Sequence, residues 1–125
     1  VLVARGDRWI SADTLAQTLS ASKAHLSKVL TTLADAGLLS ARRGPGGGYT
    51  LSRSAETISL LEIYEVLQGP ARRDGCLFDA PICHQVHCVL GDLVSRVRSE
   101  VFDHLAATTL NQAATSRRED VLLSM

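Results

Sequence analysis

The stretch Ser22-Lys23-Ala24-His25-Leu26-Ser27-Lys28-Val29-Leu30 decides how the rest of the chain reads. Ser22 is a good helix N-cap. Leu26, Val29, Leu30 and Leu33 recur at helical spacing and form an inward stripe, while Lys23 and Lys28 stay off it. Ala36-Gly37 closes the helix, with Gly37 at the usual left-handed C-terminal position. Just upstream, Ser11 caps a shorter helix over Ala12–Thr18, with Thr14 where a capping box would have Glu. Leu15, Ala16 and Leu19 lie on one side of it, and Ser20-Ala21-Ser22 breaks it. Two short helices joined by a tight turn, the second amphipathic and basic, form a helix-turn-helix.

Downstream, Leu38-Leu39-Ser40-Ala41-Arg42 reads as a strand, Gly44-Pro45-Gly46-Gly47-Gly48 as a loop, and Tyr49-Thr50-Leu51-Ser52 as the returning strand. A β-hairpin directly after a helix-turn-helix is a wing. Recognition helices point their N-terminal side chains at base edges in the major groove. Here those are Ser22, Lys23, Ala24, Ser27 and Lys28, with His25 nearby. The lysines suit phosphates, which position a protein without specifying sequence. Arg42 and Arg43 begin the hairpin tip, where an arginine can enter a narrow minor groove. Gly46 and Gly47 let the loop backbone approach the sugar–phosphate wall, and Tyr49 completes the candidate contact set. Each piece alone has a blander reading as a helical pair, a turn or a solvated charge. Together and in order they point to duplex DNA. The loop is not a nucleotide-binding one, because no Lys-Ser/Thr follows and a strand comes next.

Ser59 caps a helix over Leu60–Leu67, which Gly69-Pro70 stops. Residues 71–88 have no clear period and contain Cys76, Cys83 and Cys88. The longest helix is predicted over Val89–Thr109, with Leu90, Val94, Val97, Val101 and Leu105 as its apolar stripe. At roughly 20 residues it would be about 30 Å long. So small a domain cannot cover that length, so the stripe is expected to meet a second copy of the chain. Asp92–Arg96 and Arg96–Glu100 are i,i+4 pairs on its outer side. The tail after Asn111 is polar and expected to fray. The expected architecture is mainly α with a small β-hairpin wing. It comprises a winged helix-turn-helix over 1–53 whose first helix is truncated, a connecting helix and cysteine loop over 54–88, a long dimerisation helix over 89–110, and a tail over 111–125.

The chain's 125 residues suit one domain, and 46% hydrophobic content supports a packed core. Thirteen basic and thirteen acidic residues cancel, which excludes binding to nucleic acid or membrane by overall charge. Charge is local instead. Between Ser22 and Arg53, Lys23, Lys28, Arg42, Arg43 and Arg53 face one acid, Asp35. Aromatics at 4% disfavour a stacking platform for single strands. No apolar run approaches the ~20 residues of a membrane span, and there is no signal-peptide pattern. The expectation is a cytoplasmic protein. An odd count of three cysteines argues against a closed disulfide framework and for metal-binding or redox thiols.

The wing Arg43-Gly44-Pro45-Gly46-Gly47-Gly48-Tyr49, with Ser22–Leu30 before it and Ile58-Ser59-Leu60-Leu61-Glu62-Ile63 after it, resembles the Rrf2 family of bacterial transcription regulators. That family includes the IscR- and NsrR-type iron–sulfur regulators. The resemblance runs from about Trp9 to Leu110. It implies a homodimer, a long crossing helix at the interface and a palindromic double-stranded DNA operator. It matches Arg43 to the wing arginine that enters the minor groove. It also implies an iron–sulfur cluster, two-iron or four-iron, on Cys76, Cys83 and Cys88. The chain departs from the pattern in four ways. Its cysteines are separated by six and four residues rather than five and five, and Gly91 stands where the IscR type has a ligand His. The first helix, from which the NsrR type takes a carboxylate, is largely missing, and Ser27 replaces the IscR-type recognition Glu.

Cysteine thiolates are the natural ligands of such clusters, usually four in number. The fourth position is open to His84, His87, a partner residue or an exogenous ligand. Zinc with His84 or His87, a disulfide, or three small apolar residues that happen to be cysteine are the other readings of the trio. His25 and His104 read as a surface or phosphate contact and a helix-face residue. A second regulator reading has the same fold without a cluster, under a small ligand or partner protein. A thiol-redox enzyme is disfavoured, since there is no Cys-x-x-Cys and no thioredoxin-like βαβ pattern.

Overall fold

The computed structural model describes residues 2–5, 8–78 and 88–123. In chain order it runs α1 (Leu2–Arg5), α2 (Ala12–Leu19), α3 (Lys23–Asp35), β1 (Leu39–Arg42), β2 (Gly48–Leu51), a 3-10 turn at Ala55–Thr57, α4 (Leu60–Gln68), α5 (Leu93–Ala107) and α6 (Leu110–Leu123). The mainly helical architecture with one antiparallel hairpin is the expected one.

Caps set the helix boundaries. The Ser11 hydroxyl accepts from the Thr14 N–H at 3.1 Å and bonds the Thr14 hydroxyl at 2.9 Å, so threonine partly fills the role of the missing Glu. α2 ends at Ser20, which is left-handed at φ 52. That conformation costs a non-glycine residue roughly 1–2 kcal/mol, and it makes the turn between α2 and α3 tight. Gly37 at φ 83 ends α3, and the Leu38 N–H reaches back to the Leu33 carbonyl at 3.0 Å.

The core forms where these elements meet. Ile10, Leu15, Leu30 and Leu39 are buried together, with Leu26, Leu33, Tyr49 and Leu51 packed around them. β1 pairs with β2 from Leu39↔Leu51 to Arg42↔Gly48. Ile10 and Tyr49 exchange both backbone bonds, at 3.0 and 2.8 Å. Ile10, just before α2, thus forms an isolated antiparallel bridge that fastens the root of the wing to the helix-turn-helix.

α4 opens with a full capping box: the Glu62 N–H donates to the Ser59 hydroxyl and the Ser59 N–H to Glu62 Oε2, both at 3.1 Å. Glu62 also pairs with Arg53 at the end of the wing. The Arg53 guanidinium, and then the Ser59 N–H, hold the Glu62 carboxyl below the usual glutamate value. A lowered folded pKa gives stability that is complete above the ordinary value of 4.5 and is lost as pH falls through the lower folded one. The contribution is small because the pair is solvent-screened. Urea midpoints of the wild type should fall more steeply below pH 4.5 than those of Glu62→Gln. Parallel curves would show that Glu62 adds no linkage.

The predicted long helix is shorter than expected. Its start moves from Val89 to Leu93, because residues 89–92 form a turn with Gly91 at φ 60 and its N–H on the Cys88 carbonyl at 2.9 Å. Its end moves to Ala107. Thr108 is extended, and the Thr108 carbonyl accepts from the Leu60 N–H at 2.9 Å while the Leu110 N–H donates to the Ile58 carbonyl at 2.8 Å. Fifteen residues make α5 about 22 Å long. The expected fraying tail is helix α6 instead. Thr109 and Gln112 cap it reciprocally, at 2.9 and 3.2 Å, a Thr-x-x-Gln box that was readable in the sequence. Arg96 pairs with Asp92 at 3.3 Å as expected, and the expected Arg96–Glu100 pair is not among the ion pairs of the described residues.

Candidate nucleic-acid interface

The turn at Ser20 projects the start of α3 outward. Ser22, Lys23, Ala24, His25 and Lys28 are exposed, and Ser27 is half-buried. At 100° per residue, Ala24, Ser27, Lys28 and Thr31 share the outward face, opposite Leu26, Leu30 and Leu33. Thr31 is exposed on that face and was not among the sequence candidates, although its i,i+4 spacing from Ser27 marks it. Its hydroxyl donates to the Ser27 carbonyl at 2.8 Å. His25 lies off this face. Lys23 pairs with Asp13 of α2 at 2.7 Å. Both side chains are more than 60% exposed, so the pair is worth at most about 1 kcal/mol and gives way readily to a phosphate.

The two wing arginines differ. The Arg42 guanidinium sits 4.5 Å over the Trp9 ring and donates to the Gly46 carbonyl at 2.9 Å. It braces the tip of the hairpin. Arg43 is exposed and has no carboxylate within ion-pair reach among the described residues. The glycines differ too. Gly46, at φ 73, has open space around it. A Cβ at Gly47 would lie 2.3 Å from the Arg42 carbonyl oxygen, and one at Gly48 2.2 Å from that of Ile10. Packing within the chain therefore demands Gly47 and Gly48, whatever approaches from outside. Tyr49 is half-buried against the core. Arg43→Ala should lower affinity for a duplex selected by the wild type by about tenfold, without changing the circular dichroism spectrum. Full affinity in fluorescence anisotropy would remove Arg43 from the contact list.

Cys76 is half-buried and Cys88 exposed; Cys83, His84 and His87 lie outside the described residues. Among the described residues, no three metal-ligating side chains come together. Cys88 is not at a helix N-terminus, as the sequence suggested, because Val89–Asp92 separate it from α5 and the helix dipole fades within one turn. Cysteine thiolates are the residue type that ligates clusters, and the sequence holds three, one short of the usual four. The segment leading into Cys76 is strapped to α5. Arg73 reaches Asp103 at 2.6 Å and the Ser99 carbonyl at 3.2 Å. Arg98 donates to the Asp74 and Cys76 carbonyls at 2.8 and 2.9 Å. His104 is exposed on α5.

One side of α5 packs on α4, with Phe102 buried and its ring 5.3 Å from that of Tyr64. The other side is an apolar stripe, with Leu93 at 45%, Val97 at 51% and Val101 at 49% exposure. Leu90 is exposed in the preceding turn, and Val94 and Leu105 are half-buried. Leu93 was missed because the period was counted from Leu90, which is not helical.

A helix-turn-helix with a braced hairpin wing defines a DNA-binding transcription regulator of the winged class. Residues 1–116 match the Rrf2 family, described as an iron-dependent transcriptional regulator, and the chain belongs to that family. It is 32% identical over 115 residues to BadM of Rhodopseudomonas palustris, named as an HTH-type transcriptional regulator. That match covers 90% of this chain and 68% of BadM, so about a third of the relative lies outside it. CymR, the global cysteine regulator of B. subtilis, superposes with a TM-score of 0.74 at 30% identity, over 92% of this chain and 85% of CymR. IscR of T. potens does so with 0.74 at 25% identity, over 95% and 79%. No helix among the described residues is long and apolar enough to cross a membrane.

Proposed function

We propose that the chain works as a homodimer on a palindromic operator, with an iron–sulfur cluster on Cys76, Cys83 and Cys88 through which redox change, nitric oxide or iron–sulfur supply governs binding. The observation that carries this reading is the place of the thiols. In the sequence they lie between the winged unit and α5, and the start of that segment, residues 73–76, is strapped to α5 by Arg73 and Arg98. α3 and Arg43 read the duplex, Arg42 on Trp9 braces the wing, and the stripe Leu93–Val97–Val101 joins the two copies. When bound, the cluster supplies a centre that reacts with oxidants and nitric oxide. The cysteines hold it, and the Arg98 strap relates Cys76 to α5.

Anaerobic purification followed by iron and acid-labile sulfide analysis tests the reading. Cys83→Ala should abolish visible absorption and bound iron and leave a folded dimer. Unchanged iron content would remove the trio as ligands. The likeness to CymR, equal in TM-score to that to IscR, favours one alternative, the same regulator without a cluster, under a small ligand or a partner protein. Colourless anaerobic protein that still shifts operator DNA would support it.

A further inference from the structure

We propose that Arg98 is the positioning residue that fastens Cys76 to α5 and passes changes at the thiols to the helix bearing the apolar stripe. The second half rests on the cysteine reading above; the first does not. The guanidinium donates from Nη1 to the Asp74 carbonyl and from Nη2 to the Cys76 carbonyl, at 2.8 and 2.9 Å. These acceptors flank Gly75, whose left-handed φ of 103 bends the chain round the cation. A Cβ on Gly75 would come 3.7 Å from Nη1. Two diverging bonds from one rigid fork fix orientation as well as distance, which a single ammonium cannot do. Arg98 follows Val97 directly and lies one turn before Val101. A shift of the Cys76 backbone therefore pulls on the part of α5 that presents the stripe. The other strap, Arg73–Asp103, is 42% and 70% exposed and yields more easily.

The test uses the full chain as wild type, Arg98→Ala and Arg98→Lys. In reduced, metal-free protein, iodoacetamide labelling is followed at each cysteine by mass spectrometry. Labelling of Cys76 should be about fivefold faster in Arg98→Ala and intermediate in Arg98→Lys, with Cys88 unchanged. Equal Cys76 rates overturn the fastening, and so does a parallel rise at Cys88, which would report global loosening. If Arg98→Ala does not fold, Arg98→Lys decides by the same rates. The second readout is DNA affinity before and after anaerobic loading with iron and sulfide. A wild-type change of about tenfold should shrink below about threefold in Arg98→Ala at equal iron content. An undiminished change overturns the transmission. If the wild type takes up no iron, the cysteine reading and the transmission fail together, and the labelling rates still decide the fastening.

Discussion

Aspartate at both Val97 and Val101 should leave the chain folded but monomeric, and should cost more than a hundredfold in operator affinity. Both side chains are half exposed within the chain and contribute little to its own core. Circular dichroism and the thermal midpoint should therefore stay close to wild type. In the proposed dimer the same positions face a second α5, where each unpaired carboxylate costs several kcal/mol to bury. On the proposed palindromic operator a monomer would also read only one half-site, so the avidity of two linked contacts would be lost. Sedimentation equilibrium at micromolar concentration is the measurement. A double variant that stays dimeric would move the interface away from the α5 stripe.

The second large effect is expected at Gly48. An alanine Cβ there would stand 2.2 Å from the Ile10 carbonyl oxygen and 2.7 Å from the Ser11 nitrogen, at φ 134. Both neighbours are backbone, so neither can rotate away. Relief requires breaking the Ile10–Tyr49 pairing, which opens the seam between the wing and the helix-turn-helix. Backbone strain and overpacking of this kind each cost about 1–3 kcal/mol. Gly48→Ala should lower the thermal midpoint by more than about 10 °C and weaken DNA binding through the loosened wing. Gly46→Ala meets no atom within 4 Å and is strained only by its φ of 73, so it should cost much less. Equal melting of the two variants would refute the packing account of Gly48.

Much of the architecture was legible because it depends on residues within one turn of each other. Ser11, Ser22, Ser59 and Gly37 mark element ends by bonds spanning only a few residues, and the Leu26–Leu30–Leu33 stripe reports its own inward face. The errors came where a distant strand or helix sets the boundary. Thr108 would continue a helix on local grounds. It is extended because Leu60 takes its carbonyl and Ile58 takes the next helix's first N–H. Val94 and Leu105 fit the stripe by spacing, and only the folded chain shows them half-buried where Leu93, Val97 and Val101 are exposed.

The candidate interface divides the same way. From residue order alone came the helix-turn-helix, the wing, the basic bias of residues 22–53 and the clustering of the cysteines. All of these follow from local conformational preference and composition. Only the folded chain separates Arg43 from Arg42, by laying Trp9 under one of them, and Gly48 from Gly46, by bringing Ile10 against one of them. Only the folded chain sets Arg98 between two carbonyls that lie more than twenty positions away. Such pairings depend on where separate elements cross, and crossing is decided by the packing of the whole core.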